Sequence, residues 1–388
     1  MTTYMTGMNS QRGGKRTLTR DVPYFSFSMA PAELKSKWKN ALGNVIDLGV
    51  FIGGRQVSDF ESEFSEFLGV RESVGVGNGL DGLTIALKTL GIGPGHNVAV
   101  PAHTFIACWL AIDLVGATAI GIDVDASGLI DLEKLKDCDV KIDAVMPVHL
   151  HGAMVDMQEL VTWTSTKQIK IIEDASQAHG AVLQGKYAGT WGDAGVFSLY
   201  PSKNLGATGD AGIVTFKELA HSVEARSIRN YGSNPQNKYD HRIPGMNSRL
   251  DPMQAAILSV NLLFLDMWNE TRITLGSRYT SRLAGTFRIL QDESHYSVRH
   301  HYPILVSNAS DSIEFLSKFG VGVERHYPEV AASAYQRFKD LPKLNFENAE
   351  AISRQTISLP ISQWHTMDDV DYVCDVLLAG YNKGVIRT

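Results

Sequence analysis

A single lysine lies in a loop made mostly of small and polar residues. The segment Phe197 to Gly206 places Lys203 between two apolar runs, among Gly, Ser and Asn residues. A lysine in a pocket at a sheet edge can lose its proton, and the neutral amine can form a Schiff base with a carbonyl compound. Ser198, five residues earlier, can donate its hydroxyl to a phosphate. A lone lysine is more often a solvated surface charge, so this interpretation depends on the motifs that accompany it.

The second motif is a carboxylate that follows an apolar run. Asp174 comes directly after the run Ile169 to Glu173. Ligands of parallel sheets bind at the carboxyl ends of the strands. A carboxylate there can pair with a protonated ring nitrogen, as it does with pyridoxal 5′-phosphate (PLP), where the pair keeps the ring an electron sink. The alternative is that Asp174 is the N-cap of a helix.

The third motif is a glycine-rich turn between a predicted strand and a predicted helix. Gly77 to Gly82 matches G-x-G-x-x-G, so an NAD-dependent sugar enzyme is an alternative. The next strand, however, ends in Val100 to His103, without the acidic residue that would hold a ribose. Backbone N–H groups at the same helix start can instead hold one phosphate, and a tight turn without a ligand is the third possibility. The order of phosphate turn, Asp174 and Lys203 along the chain favours PLP.

Alternating strands and helices must position these motifs. From about residue 30 to 216, short apolar runs alternate with amphipathic segments, which predicts a mainly parallel sheet covered by helices on both faces. We predict strands at 73–76, 98–100, 117–122, 144–148, 169–173, 194–198 and 212–216, and helices at 31–45, 80–90, 104–115 and 154–163, with a further helix ended by Gly69.

The alternation of predicted strands and helices changes after a long apolar helix, which we predict from Asp251 to about Met267. A strand is predicted at 300–306. We therefore expect a flexible tail (1–20), a large cofactor-binding domain (21–270) and a smaller C-terminal α/β domain (271–388).

The motifs resemble those of the DegT/DnrJ/EryC1/StrS family of PLP-dependent sugar aminotransferases. The resemblance runs from about Val22 to the C-terminus, and segments 173–180, 197–212 and 245–251 carry it. It implies an α/β fold like that of aspartate aminotransferase (fold type I), with a mainly parallel sheet and a smaller C-terminal α/β domain. It also implies a homodimer with shared active sites, a nucleotide-linked keto-sugar as acceptor and an amino-acid donor, glutamate.

The resemblance assigns roles to single residues. Lys203 would be the Schiff-base lysine of PLP, and Asp174 would be the pyridinium partner. Gln177 would contact the ring hydroxyl and Ser198 the phosphate. Asn247 would reach the phosphate from the other subunit. A dehydratase subgroup of the family carries His at the lysine position, so Lys203 argues against dehydration.

Two further segments would complete the cofactor site. The turn Asn78, Gly79 and Leu80 would hold the phosphate, and Phe105 would stack on the ring. Leu80 departs from the family pattern, because many members carry Thr or Ser there. Its side chain offers no hydroxyl, which leaves backbone contacts at that point.

The segments around the sugar resemble those of enzymes that aminate C3 of dTDP-linked 3-keto-6-deoxyhexoses. Many C4-specific members carry His where Tyr200 stands. His326 and Tyr327 match a segment that lies near the sugar in the C3 subgroup. Tyr231 and Arg249 offer donors for an anionic nucleotide-sugar, and the alternative is that the segment around Tyr231 is a surface loop of mixed charge. The alternatives are a C4 aminotransferase of the same family and a non-catalytic relative that binds a nucleotide-sugar.

Four further histidines form two pairs, His149 with His151 and His300 with His301. Neither pair has partners at metal-ligand spacing, so we predict no metal site and interpret all four as polar loop residues. His179 is interpreted as a hydrogen-bonding residue near the cofactor.

Composition bounds the class of protein. The chain has 388 residues, 44% hydrophobic and 20% charged, as in a globular enzyme of two domains. A net charge of −6 gives no reason to expect nucleic-acid binding. No apolar stretch reaches the ~18 residues of a membrane span, and the polar, basic start does not resemble a signal peptide. The three cysteines (Cys108, Cys138 and Cys374) lack paired spacing, so we expect reduced thiols and a cytoplasmic protein.

Overall fold

The computed structural model describes residues 20–234, 236–291, 296–335, 338 and 345–388. The predicted tail lies outside the described residues except for Arg20, whose guanidinium donates to Asp369 at 2.7 Å. The described helices include none that is long and apolar enough to cross a membrane.

Fourteen strands are described, in four sheets. In chain order they are β1 (Ser73–Val76), β2 (Asn97–Pro101), β3 (Thr118–Ile122), β4 (Ala144–Val145), β5 (Lys170–Asp174), β6 (Val182–Leu183), β7 (Lys186–Tyr187), β8 (Ala194–Ser198), β9 (Gly212–Phe216), β10 (Ser233–Asn234), β11 (Asn237–His241), β12 (Arg288–Ile289), β13 (Tyr302–Leu305) and β14 (Thr356–Leu359).

Helices cover this framework. They are α1 (Ala32–Leu48), α2 (Arg55–Leu68), α3 (Gly79–Thr89), α4 (Ala107–Leu114), α5 (Leu132–Lys136), α6 (Met157–Ser165), α7 (Leu219–Ile228), α8 (Pro252–Leu262), α9 (Leu265–Leu283), α10 (Ala309–Lys318), α11 (Ala331–Ala334), α12 (Glu347–Gln355) and α13 (Met367–Asn382).

The large sheet is mainly parallel, as predicted. Its seven strands lie in the order β1-β9-β8-β5-β4-β2-β3. Strand β9 pairs antiparallel with both of its neighbours, while β8, β5, β4, β2 and β3 pair in parallel. Both faces are buried, which accounts for the continuous apolar runs that made these strands predictable. The carboxyl ends of the parallel strands therefore meet at one edge.

The predicted single helix from Asp251 to Met267 is wrong, because the chain forms two helices there. Helix α8 ends at Leu262 and α9 begins at Leu265. The first buries Ile257 and Leu258, and the second turns toward the C-terminal part of the chain. Neither Pro nor Gly stands at the break, and the apolar residues continue across it, so the sequence pattern predicts one continuous helix.

The C-terminal sheet β12-β13-β14 is antiparallel and shares a hydrophobic core with α9, α10 and α13. The domain boundary predicted near residue 270 falls inside α9, whose residue Leu265 packs in the core of the large sheet and whose Tyr279 packs in the C-terminal core. Val22 also belongs to that second core and pairs with Val321. The segment around Val22 thus lies against the C-terminal part.

Candidate functional site

A cavity of about 360 Å³ opens where the carboxyl ends of β5 and β8 meet the starts of α3 and α4. It brings together eleven residues predicted from sequence: Asn78, Gly79, Leu80, Phe105, Asp174, Gln177, Ser198, Tyr200, Lys203, His326 and Tyr327. Strand ends supply most of them, because parallel strands present their carboxyl ends at one edge. His326 and Tyr327 come from the C-terminal part.

The glycine-rich turn ends at the start of α3. Asn78 caps this helix, since its Oδ1 accepts the N–H of Asp81 at 2.8 Å. The first N–H groups of a helix have no partner within the helix and attract anions. A Cβ added at Gly79 would lie 2.9 Å from Cβ of Ser198, so glycine is needed for this close approach. The start of α3 and the Ser198 side chain therefore lie side by side at the cavity wall, where N–H groups and a hydroxyl are available to one phosphate.

Lys203 lines the cavity, and its loop is held by the backbone hydrogen bond from its N–H to Tyr200 O. Loss of hydration lowers the pKa of its ammonium group to about 8, although the Asp174 carboxylate acts in the opposite direction. The neutral amine, which is the nucleophilic form, is therefore accessible near neutral pH.

Asp174 is buried at the end of β5, with 6% of its surface exposed. Its Oδ1 accepts the N–H of Ser176 at 3.0 Å, and its Oδ2 accepts the thiol of Cys108 at 3.0 Å. Residues 175–178, all described, form turns rather than a helix, so the N-cap alternative for Asp174 is wrong. The carboxylate instead lines the cavity with Lys203.

Gln177 joins the two parts of the chain across the cavity. Its Oε1 accepts the N–H of His151 at 2.6 Å, and its Nε2 donates to the hydroxyl of Tyr327 at 3.0 Å. Burial raises the pKa of Tyr327, so its hydroxyl stays protonated. The Tyr327 ring lies 5.5 Å from that of Phe105 between centroids. The cavity wall is thus assembled from both parts of the fold.

The four paired histidines lie in loops and turns, as predicted, but all four side chains are buried. His149 pairs with Glu173 at 3.0 Å. His151 contacts His301 at 3.1 Å between Nδ1 atoms, and His300 and His301 line the cavity. Sequence reasoning missed these two residues because nearly a hundred residues separate them from Lys203.

Burial lowers the pKa of six histidines in or near the cavity and keeps them neutral: His103, His151, His179, His300, His301 and His326. We call these six the histidine cluster. The ring of His301 stacks on His326, with centroids 3.8 Å apart. Loss of hydration lowers the pKa of His103 to about 4 and that of His326 to about 3. His179, predicted to lie near the cofactor, packs 5.3 Å from the Phe197 ring, and burial lowers its pKa to about 3. These imidazoles act as neutral packing and hydrogen-bonding groups.

We therefore expect stability to fall as the pH drops through the histidine range. The unfolded chain binds protons on these histidines below pH ~6.5 and the folded chain does not, so each costs ~1.4 kcal/mol per pH unit until its folded pKa is reached. The free energy of unfolding, from urea titrations at pH 7, 6 and 5, should decrease steeply. His326→Asn should reduce the number of protons taken up on unfolding by about one, so the free energy of unfolding should depend less steeply on pH. His241→Asn, at an exposed site, is the control and should leave this dependence unchanged. Equal stability at pH 7 and 5 would contradict the neutral cluster.

Three predicted site residues, Asn247, Tyr231 and Arg249, do not line the cavity. They lie together beside the glycine turn, where the Arg249 guanidinium carbon is 5.7 Å from the Tyr231 ring centre. Asn247 and Tyr231 are exposed. The Oγ of Ser248 accepts the N–H of Gly77 at 2.9 Å, which fixes this segment to the phosphate turn of the same chain.

Comparison with known proteins identifies close likenesses over most of the chain. The sequence profile of the DegT/DnrJ/EryC1/StrS aminotransferase family matches residues 32–378. The chain is 37% identical over 352 residues to the dTDP-3-amino-3,4,6-trideoxy-alpha-D-glucose transaminase of Streptomyces venezuelae, covering 89% of this chain and 92% of the relative. It is 33% identical over 362 residues to the dTDP-3-amino-3,6-dideoxy-alpha-D-galactopyranose transaminase of Aneurinibacillus thermoaerophilus, covering 92% and 98%.

Solved structures show the same likeness. The crystal structure of DesV from S. venezuelae superimposes with a TM-score of 0.88 at 35% identity, over 92% of this chain and 98% of DesV. The structure of NtdA from Bacillus subtilis, with bound cofactor PMP, superimposes with a TM-score of 0.86 at 28% identity, over 94% and 86%. The predicted family resemblance and the predicted α/β fold class, fold type I, are confirmed.

Proposed function

Because this chain belongs to the DegT/DnrJ/EryC1/StrS aminotransferase family, we propose that it uses PLP to move an amino group from glutamate to C3 of a dTDP-linked 3-keto-6-deoxyhexose. The observation that carries the proposal is the convergence of Lys203, Asp174 and the helix start at Gly79 on one cavity. An amine, a carboxylate and an anion site are the groups that this chemistry requires.

The residues in the cavity fit PLP. The lowered pKa of Lys203 makes its amine available for covalent attachment of the aldehyde. Asp174 would hold the ring nitrogen, while the α3 start and Ser198 would hold the phosphate. Phe105 lines the cavity and is half-exposed within the single chain, so its ring is free to cover the cofactor. When bound, PLP supplies an electron sink and carries the amino group between the two substrates.

The chain's own residues would handle the protons. Lys203 Nζ would remove the proton from the donor carbon that bears nitrogen and would return a proton to C3 of the sugar. Its lowered pKa suits both steps, because a group whose pKa lies near the working pH serves as base and as acid. Asp174 would keep its charge opposite the ring nitrogen throughout.

The choice of C3 rests on the sugar side of the cavity. Tyr200 lines it with 53% of its surface exposed, so the phenol is available to a sugar oxygen. His326 and Tyr327 line the same cavity from the C-terminal part. The two curated relatives described above are both named as transaminases of 3-amino sugars. A His in place of Tyr200 would change the donor direction and could turn another carbon toward the cofactor.

A pair of isomeric acceptors tests this preference. With glutamate as donor, turnover measured as 2-oxoglutarate release should be faster by about ten-fold for a dTDP-3-keto-6-deoxyhexose than for its 4-keto isomer, the size expected from one hydrogen bond. The 3-keto sugar isomerises in solution, so a coupled isomerase should generate it in place. A clear preference for the 4-keto isomer would favour a C4 aminotransferase and leave the family assignment standing.

The site is proposed to be shared by two subunits. Among the described residues that line the cavity, Lys203 is the sole Lys or Arg. The diphosphate of a dTDP-linked sugar, however, needs cationic partners. Asn247, Tyr231 and Arg249 would serve the partner's cavity. A run of exposed apolar side chains supports a dimer interface: Ile46, Leu48, Val50, Phe51 and Ile52.

Subunit mixing tests the shared site. Lys203→Ala and Asn247→Ala enzymes should each be weakly active or inactive, because each lacks one component of every site. Hybrid dimers should regain activity, since one of their two sites then has wild-type composition. Subunit exchange is verified by native mass spectrometry of differently tagged chains. If verified hybrids regain no activity, the site is built within one chain.

A further inference from the structure

The Asp174 carboxylate has a buried thiol as a neighbour. Cys108 lies in the first turn of α4, with 0% of its surface exposed. Its Sγ lies 3.0 Å from Oδ2 of Asp174, while Oδ1 accepts the Ser176 N–H at 3.0 Å. Each carboxylate oxygen thus has one donor, and the two donors lie on different segments of the chain.

The proton of this contact belongs to the thiol. Burial, and secondly the charge of Asp174, raise the pKa of Cys108 well above its ordinary value. The sulfur therefore stays protonated over the physiological range and donates to the carboxylate. A thiolate would place two negative charges 3.0 Å apart in the protein interior.

A third group continues the chain of hydrogen bonds. Oγ1 of Thr104 lies 3.4 Å from the Cys108 sulfur. Because the single thiol proton points to Asp174, the hydroxyl is the donor at sulfur. Thr104 also lines the cavity. The hydrogen bonds from Thr104 to Cys108 and from Cys108 to Asp174 therefore connect the cavity wall to the carboxylate.

We infer that Cys108 is a positioning residue, whose thiol fixes the orientation of the Asp174 carboxylate toward the nitrogen of the bound ring. The inference rests on the proposed function, in which Asp174 holds that nitrogen. A carboxylate anchored at one oxygen can rotate about its Cβ–Cγ bond, whereas donors at both oxygens hold the plane of the group. A carboxylate accepts about four hydrogen bonds, so these two donors leave room for the ring N–H.

Two pairs of substitutions separate hydrogen bonding from packing. Cys108→Ser and Cys108→Ala leave similar cavities and differ in the presence of a donor. Cys108→Thr and Cys108→Val form a second, larger pair with the same difference, which serves if the smaller pair folds poorly. Cofactor retention by the holoenzyme during dilution and the pH dependence of its visible absorption are measured together with kcat and KM.

The donor-free variants should release PLP about ten-fold faster and lose about ten-fold in kcat, the effect expected for a hydrogen bond to a charged group. KM for the sugar should stay within a factor of about two, because Cys108 does not line the cavity. The absorption of Cys108→Ala should titrate at a different pH from that of wild type, whereas Cys108→Ser should titrate like wild type. In an Asp174→Asn background, Cys108→Ala should have little further effect.

The experiment distinguishes failure of the Cys108 inference from failure of the proposed function. If wild type holds PLP and both members of each pair behave alike in release and in titration, Cys108 contributes packing and the inference is overturned. If wild type holds no PLP at all, the proposed function itself fails.

Discussion

Lys203→Ala is expected to abolish covalent binding of PLP and to lower kcat by about 10⁴-fold or more, because one side chain supplies both the attachment point and the proton carrier. The site around it should persist, since Asp174, Ser198 and the α3 start are held by their own hydrogen bonds. The variant should therefore still bind PLP weakly and without a covalent bond.

Borohydride reduction followed by peptide mass mapping checks this result. Wild type should yield one PLP adduct, on the peptide that contains Lys203, and Lys203→Ala should yield none. Lys383→Ala, a substitution at an exposed lysine near the C-terminus, is the matched control and should retain the adduct and the activity. An adduct on a different lysine would show that the assignment of Lys203 is wrong.

Asp174→Asn is expected to have the second largest effect, a loss of about 10²-fold or more in kcat, because a neutral amide cannot stabilise a protonated ring nitrogen. The amide keeps the shape of the side chain and an oxygen for the Ser176 N–H, so the fold should survive. Circular dichroism and thermal unfolding establish this point. Wild-type turnover by a correctly folded Asp174→Asn enzyme would remove Asp174 from the mechanism.

A surface carboxylate gives the control for this substitution. Asp371 pairs with Arg278 and Arg282 on the exterior and does not line the cavity. Asp371→Asn should change stability slightly and leave turnover unaltered. The contrast separates loss of a charge at the cofactor from loss of a charge in general.

The residues at the ligand-binding edge of the sheet could be predicted because the end of a strand is visible in a short stretch of sequence. A buried strand shows as a short apolar run, and the residue after it lies at the ligand-binding edge. Asp174 was identified in this way. Ser198 was identified from its place five residues before Lys203, and the glycine turn before α3 from its G-x-G-x-x-G pattern between a predicted strand and a predicted helix. The Lys203 loop follows directly from the end of β8, so it could be placed with them.

Contacts between distant segments could not be predicted from local patterns. His300 and His301 line the cavity because the C-terminal part folds back over the sheet edge. The spacing of apolar residues along the sequence does not indicate such long-range packing. The hydrogen bond between Cys108 and Asp174 joins residues 66 positions apart. The break after Leu262 lacks a Pro or Gly signal. Asn247 stays a prediction, because its proposed ligand lies in another subunit.

The position of the transferred nitrogen tests the central claim most directly. The enzyme is supplied with ¹⁵N-labelled glutamate and a dTDP-3-keto-6-deoxyhexose made in place by an isomerase, and the purified sugar product is assigned by NMR. Our account predicts that the label is bonded to C3. A label on C4, or a product without label from an enzyme that holds PLP on Lys203, would contradict it.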